Sequence, residues 1–297
     1  MWQRLKVESR DALELVLLPG LAALLPWGLC FALFKRLARM HWLYRAQVET
    51  ALYQARRYGW AGEDELHWVW VRRLVTLVDH ADYYLMRTRG DAWFKRHVVV
   101  QGAWYPASQA SFLLTFHWGA GMWSLHHAAS AGLKVHSLVA NVKVEHFAGR
   151  WVLGRYITAR ISMMSRVSGP PTLDVSASLR PVLKALKANQ QVFAVVDVPA
   201  DQVSTSQQIQ LLGLQARVPR ALFRLAVEQK IPVTVYLVGL NLQDGQRFLR
   251  ISEFGIYQDV DVLIGDVFRV LEQAMRENPA VWHFWGQAER FFEPIKI

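Results

Sequence analysis

The chain holds a single cysteine, Cys30. That excludes a disulfide framework and any cysteine-based zinc site, and it fits a reducing compartment. There is no internal repeat and no low-complexity segment. Charged residues are only 20% of the 297 and apolar residues 53%, so a large core can be buried and general disorder is excluded. Acidic residues are scarce, 24 against 34 basic, which leaves a net charge of +10. Such a surplus points to an anionic partner: a membrane surface, a nucleic acid or an acidic carrier protein. Zinc-finger spacing, a helix-turn-helix signal and an RNP-type aromatic strand are all missing, so nucleic acid is not the expected partner.

The positive charge sits in two places. Residues 1–60 carry nine basic and four acidic residues; residues 133–173 carry six basic and one acidic. The first segment flanks LVLLPGLAALLPWGLCFALF (15–34), twenty residues without a charge. That length reaches what a bilayer crossing requires. Pro19 and Pro26 interrupt it, and basic residues lie on both sides. The expectation is a helix that enters one leaflet or lies at its surface, with Lys and Arg at the headgroups. A full span and a buried core helix are the competing readings. Thirteen Trp and fourteen Phe also suit an interface with one apolar and one wet side.

Helical spacing of apolar residues runs through 36–95, after which the pattern changes. Short apolar runs at 111–116, 135–140, 192–196 and 232–238 read as strands. Helices are expected at 121–131, around 179–188, from Pro219 to Gln229, and at 261–276. The polar stretch 198–210 reads as a long loop. This alternation predicts an α/β fold, a mixed and mostly parallel sheet flanked by helices. Residues 1–95 form an N-terminal membrane-associated helical region, and 96–297 the catalytic region.

Candidate chemistry starts at His117 in TFHWGAGMW. It follows a buried strand, and Gly119 and Gly121 after it allow close backbone approach. Open α/β sheets place ligands at the carboxyl ends of strands. Histidine is suited to removing a proton near neutral pH, although a core histidine with one satisfied bond is the plainer alternative. His126 and His127 lack the spacing of a metal pair, and neither metal nor cofactor is expected. Arg217 and Arg220 bracket Pro219 at an expected helix start, where free N–H groups favour an anion.

Several segments, taken in order, resemble the bacterial lipid A late acyltransferases, a branch of the glycerophosphate/lysophospholipid acyltransferase superfamily. TFHWGAGMW resembles that family's strand followed by His-Phe-Gly-Asn-Trp-Glu. ISMMSRVSGP resembles its strand ending in an Arg, here Arg166. VFAVVDVPAD resembles its apolar strand ending in an Asp, here Asp197. ARVPRALFRLAVEQKIPVTVYLV and NPAVWHFWGQAERF resemble its later helix-to-strand and Trp-rich segments. The resemblance covers about residues 12–292. It implies that His117 takes the proton of an acceptor hydroxyl, which attacks an acyl thioester, and that Arg166 binds a phosphate or the developing oxyanion.

The family has an acid after His and four further residues; this chain has Met122 there. Either Asp197 holds His117 instead, or a backbone carbonyl fixes its tautomer, or the site has lost transfer and kept lipid binding. The expected activity is a membrane-associated acyltransferase on the cytoplasmic face of a bacterial inner membrane. Its donor would be an acyl carrier protein (or acyl-CoA) thioester, with the basic 133–173 region as the carrier's docking surface. Its acceptor would be a hydroxyl or amine on a lipid, a glycolipid or a lipid-like precursor. The alternatives are an impaired acyl-binding protein and a thioester hydrolase.

Overall fold

The structure is a computed structural model that describes residues 2–139, 147, 149–175 and 178–294. It opens with helix α1 (Trp2–Asp11), a π-helical turn (Ala12–Leu17), α2 (Leu18–Leu24), α3 (Trp27–Leu37), α4 (Arg45–Arg57), α5 (Glu65–Thr88) and α6 (Asp91–His97). Strands β1 (Val98–Gln101) and β2 (Ser111–Thr115) lead to α7 (Met122–Ser130) and β3 (Val135–Val139). Then come α8 (Trp151–Ser168), β4 (Leu173–Asp174), α9 (Arg180–Lys187) and β5 (Gln191–Val195). The hairpin β6 (Ser206–Leu211) and β7 (Leu214–Pro219) precedes α10 (Ala221–Glu228). Strands β8 (Val233–Leu240) and β9 (Arg247–Gly255) and helix α11 (Val260–Glu277) complete the order.

Seven strands form one sheet, ordered β1-β9-β8-β2-β5-β3-β4. Every neighbouring pair is parallel except β8 and β9. The expected α/β class with a mostly parallel sheet is therefore the observed one. Burial on both faces explains why the central strands read as continuous apolar runs. In β2, Phe112 and Leu114 enter one apolar cluster while Leu113 enters the other. Residues of β5 divide the same way, Val192 and Ala194 against Phe193. Helix α5 supplies both clusters, so the N-terminal helices share their cores with the sheet.

The apolar run 15–34 is not one helix. Leu25 adopts an extended backbone ahead of Pro26, as the residue before proline prefers, and the helix stops. Pro19 falls where the π-helical turn passes into α2, with Leu17 and Leu18 already helical. One side of the run is core: Leu15, Ala22, Trp27, Cys30, Phe31 and Phe34 are buried. Its other side leaves Leu17, Leu24 and Leu29 exposed. Among the described residues, no helix is long and apolar enough to cross a membrane.

Other expectations shift. The region 36–95 is broken between α3, α4, α5 and α6. The run 135–140 is a strand to Val139; Ala140 lies outside the described residues. The segment ISMMSRVSGP is not a strand: it lies largely in α8, which buries Tyr156 and Met163, seven residues apart on one helix face. Pro219 ends β7 rather than opening a helix, and α10 starts at Ala221. The stretch 198–210 is not all loop, because it holds a 3₁₀ turn (Ala200–Gln202) and most of β6.

Candidate active site

Strands β2 and β5 are parallel neighbours, with Thr115 opposite Val195. Two residues further along each strand lie His117 and Asp197. The register therefore brings both side chains to one sheet edge, at the carboxyl ends of the strands. His117 Nδ1 lies 2.9 Å from Asp197 Oδ1. The His117 backbone N–H donates to the same carboxylate, at 2.8 and 3.0 Å to its two oxygens. Trp282 Nε1 donates to Oδ2 at 2.8 Å. A carboxylate only accepts hydrogen bonds, so the proton between Asp197 and His117 sits on Nδ1. Nε2 is then an acceptor, and among the described residues nothing bonds to it. The Asp197 side chain is 2% exposed and that of His117 35%, so the acid is enclosed and the base reachable.

The loop after His117 is clamped at Gly119, which has φ +78°. A Cβ there would fall inside the van der Waals radius of the Val238 carbonyl oxygen. The next residue, Ala120, donates its N–H to that oxygen at 3.0 Å. Gly119→Ala combines a strained backbone with a clash against β8. It should lower unfolding stability by about 2–4 kcal/mol, measured by denaturant titration; a change under about 0.5 kcal/mol contradicts this reading. Gly121 differs, since a Cβ there meets nothing and its φ is −72°. Close approach to the backbone requires Gly119 alone.

The C-terminal Trp-rich segment closes over this loop. His283 donates its N–H to the His117 carbonyl at 2.7 Å, and its Nε2 reaches the Gly119 carbonyl at 2.7 Å. Burial, with the Arg72 guanidinium nearby, lowers the His283 pKa to about 4. His283 is thus neutral at pH 7 and donates from Nε2. Arg72, on α5, donates to the carbonyls of Trp282 at 2.5 Å and His283 at 2.7 Å. The Phe284 ring lies 4.1 Å, centroid to centroid, from the His117 imidazole. Trp282 both packs in the core and bonds to Asp197.

A second polar group lies between α5 and α8. Arg160 donates to Asp79 at 2.7 Å and to the Tyr156 hydroxyl at 3.3 Å. The Tyr156 hydroxyl lies 2.8 Å from His80 Nδ1. Burial pushes the Asp79 carboxyl up, but the Arg160 charge and hydrogen bond outweigh it and hold the pKa at about 2. Burial also lowers His80 to about 3. The Asp79 charge acts on His283, and His283 in turn feels His117. Sequence reading missed Asp79, Arg160, His283 and the Trp282 bond. Arg160 shares a helix face with Tyr156 and Met163, a spacing visible once the segment is read as a helix.

The other expected site residues lie elsewhere. Arg166 is exposed in the last turn of α8, not at a strand end. Arg217 is exposed on β7. Arg220 precedes α10 and is committed to Gln207 and an ion pair with Asp261. Of the basic residues in 133–173, Arg150 pairs with Asp11 and Arg160 with Asp79. Lys143 lies outside the described residues. The carrier-docking charge expected there is accordingly reduced to Lys134, Arg155 and Arg166 among the described residues.

Met122 is buried in an apolar cluster with Leu15, Tyr83, Tyr156 and Met163. An acid here would be desolvated without an ordained partner. Met122→Glu should therefore lower stability by about 2–4 kcal/mol in denaturant melts and bring no gain in turnover. A variant as stable as wild type would contradict this. No family model matches the chain, and no curated protein matches it.

Proposed function

We propose that this protein is a membrane-associated acyltransferase in which His117 is the general base and Asp197 the residue that orients it. The observation that carries the reading is the His117 Nδ1–Asp197 bond at adjacent strand ends, with Nε2 unbonded among the described residues and the ring 35% exposed. Nε2 takes the proton of an acceptor hydroxyl or amine. The acceptor oxygen or nitrogen attacks the thioester carbonyl, the C–S bond breaks, and the leaving thiolate takes the proton back from the imidazolium. Asp197 stabilises that imidazolium and fixes the tautomer, the role the resemblance assigns to an acid at position 122. Asp79, paired with Arg160, is close enough to His283 for its charge to count.

The donor is an acyl carrier protein or coenzyme A thioester. The acceptor is a lipid, glycolipid or lipid-like precursor at the cytoplasmic face of a bacterial inner membrane. Exposed Leu17, Leu24 and Leu29, beside the flanking basic residues, support attachment to one leaflet rather than a span. The test is thiol release from an acyl carrier protein thioester, with and without a total lipid extract. Acceleration by the extract supports transfer. Equal release in both supports a hydrolase, and acyl binding without release supports a binding protein.

A further inference from the structure

A groove of about 620 Å³ runs along the start of α8, lined by Phe147, Gly149, Trp151, Gly154, Arg155 and Thr158 among others. It lies on the face of α8 away from Arg160 and Tyr156, and the site above makes no use of it. Three features give it a chemical character. Its walls are chiefly apolar. Its rim is cationic: the Arg155 guanidinium sits 5.0 Å from the centre of the Trp151 ring, and among the described residues it pairs with no carboxylate. Arg4 lies against Gly149, where a Cβ would come 3.1 Å from Arg4 Nη2.

Helix α1 is latched beside this groove by charge. Glu8 accepts the Trp151 and Val152 N–H groups at 2.6 and 2.9 Å, and Arg150 forks onto Asp11 at 2.6 and 2.8 Å. These bonds occupy the α8 N-terminus and Arg150, and they leave Arg4 and Arg155 as the rim charges. Trp151 itself is 65% exposed at the start of α8, and Trp2 and Leu5 of α1 are 76% and 54% exposed. The patch thus joins the exposed Trp151 ring to two guanidinium groups beside a concave apolar floor. An anion that carries an apolar chain matches both the guanidinium rim and the apolar floor.

We infer that this groove binds the headgroup of an anionic phospholipid, with Arg155 and Arg4 on the phosphate, Trp151 at the interface and α1 lying along the leaflet. The inference rests on the membrane-associated reading above but not on its chemistry. Binding is read without turnover, so the two fail separately. The probe is co-sedimentation of the full chain with vesicles of phosphatidylcholine alone, or phosphatidylcholine with phosphatidylglycerol at 3:1. Arg155→Ala should lower partitioning onto the phosphatidylglycerol vesicles roughly fivefold and leave the neutral vesicles unchanged. Trp151→Ala should lower both. Both side chains are exposed, so melting temperature should not move. Arg224→Ala, at an exposed arginine on α10 far along the chain, is the control for general charge.

Partitioning of Arg155→Ala equal to wild type overturns the inference. So does an equal loss in Arg224→Ala, which would mean a diffuse charge effect. Unchanged vesicle binding with loss of carrier-protein binding overturns it too, by assigning the groove to an acidic protein. His117→Ala should partition like wild type; were it to keep full transfer, the proposed chemistry would fail while the lipid site stood.

Discussion

His117→Ala should reduce acyl transfer by about three to four orders of magnitude while the protein stays folded. The imidazole lies past the end of β2, its Nδ1 proton is committed to Asp197, and Nε2 is unbonded among the described residues. Removing it deletes the one base of the pair that an acceptor hydroxyl can reach, because the Asp197 carboxylate is enclosed. The backbone bonds from His117 N–H to Asp197 and from His283 N–H to the His117 carbonyl survive the substitution. With the side chain 35% exposed, little packing is lost. The check is a single-turnover assay beside a thermal melt. Full activity with an unchanged melt would remove His117 from the mechanism.

Asp197→Asn should cost about two to four orders of magnitude in turnover, and some stability as well. Three N–H groups converge on this carboxylate: the His117 backbone, His117 Nδ1 and Trp282 Nε1. An amide has one oxygen, so one of its N–H groups must face a donor. If it faces the ring, Nδ1 has to become the acceptor, and the proton moves to Nε2, the atom that should be unprotonated. If it faces Trp282, a buried donor is orphaned, at a cost of about 1–3 kcal/mol. A purely structural role predicts that turnover falls only as far as the folded fraction does. An orienting role predicts a loss of turnover at temperatures where the variant is fully folded. Activity per folded molecule therefore decides between them.

Both members of this pair could be picked out from sequence, because each directly follows a run of apolar residues that had to be a buried strand. Their contact could not. It depends on β2 and β5 being neighbours, and five of the described elements separate them in the chain. Strand order is a property of packing, not of local pattern. Given that order, the register places residue 117 against residue 197 without adjustment.

The misread elements have local causes. The motif at 161–170 resembles a strand, but the segment lies largely in α8. Tyr156, Arg160 and Met163 already show helical spacing, and the buried ion pair with Asp79 depends on it. In the N-terminal run the length alone allows a crossing helix, and Pro26 is where the structure breaks it. That run also explains position 122. Its π-helical turn places Leu15 in the cluster that encloses Met122, so the site where the family has an acid is apolar ground here. His283 carried no pattern of its own. Its role depends on the 3₁₀ turns that fold the last segment back over Gly119.

The most direct test of the central claim compares wild type, His117→Ala and Asp197→Asn side by side. Each receives the same labelled acyl carrier protein thioester and total lipid extract, at a temperature where all three are folded. The account predicts label in lipid with wild type and, for each variant, at least a hundredfold less. Label transferred at the wild-type rate by Asp197→Asn, or by His117→Ala, would contradict it.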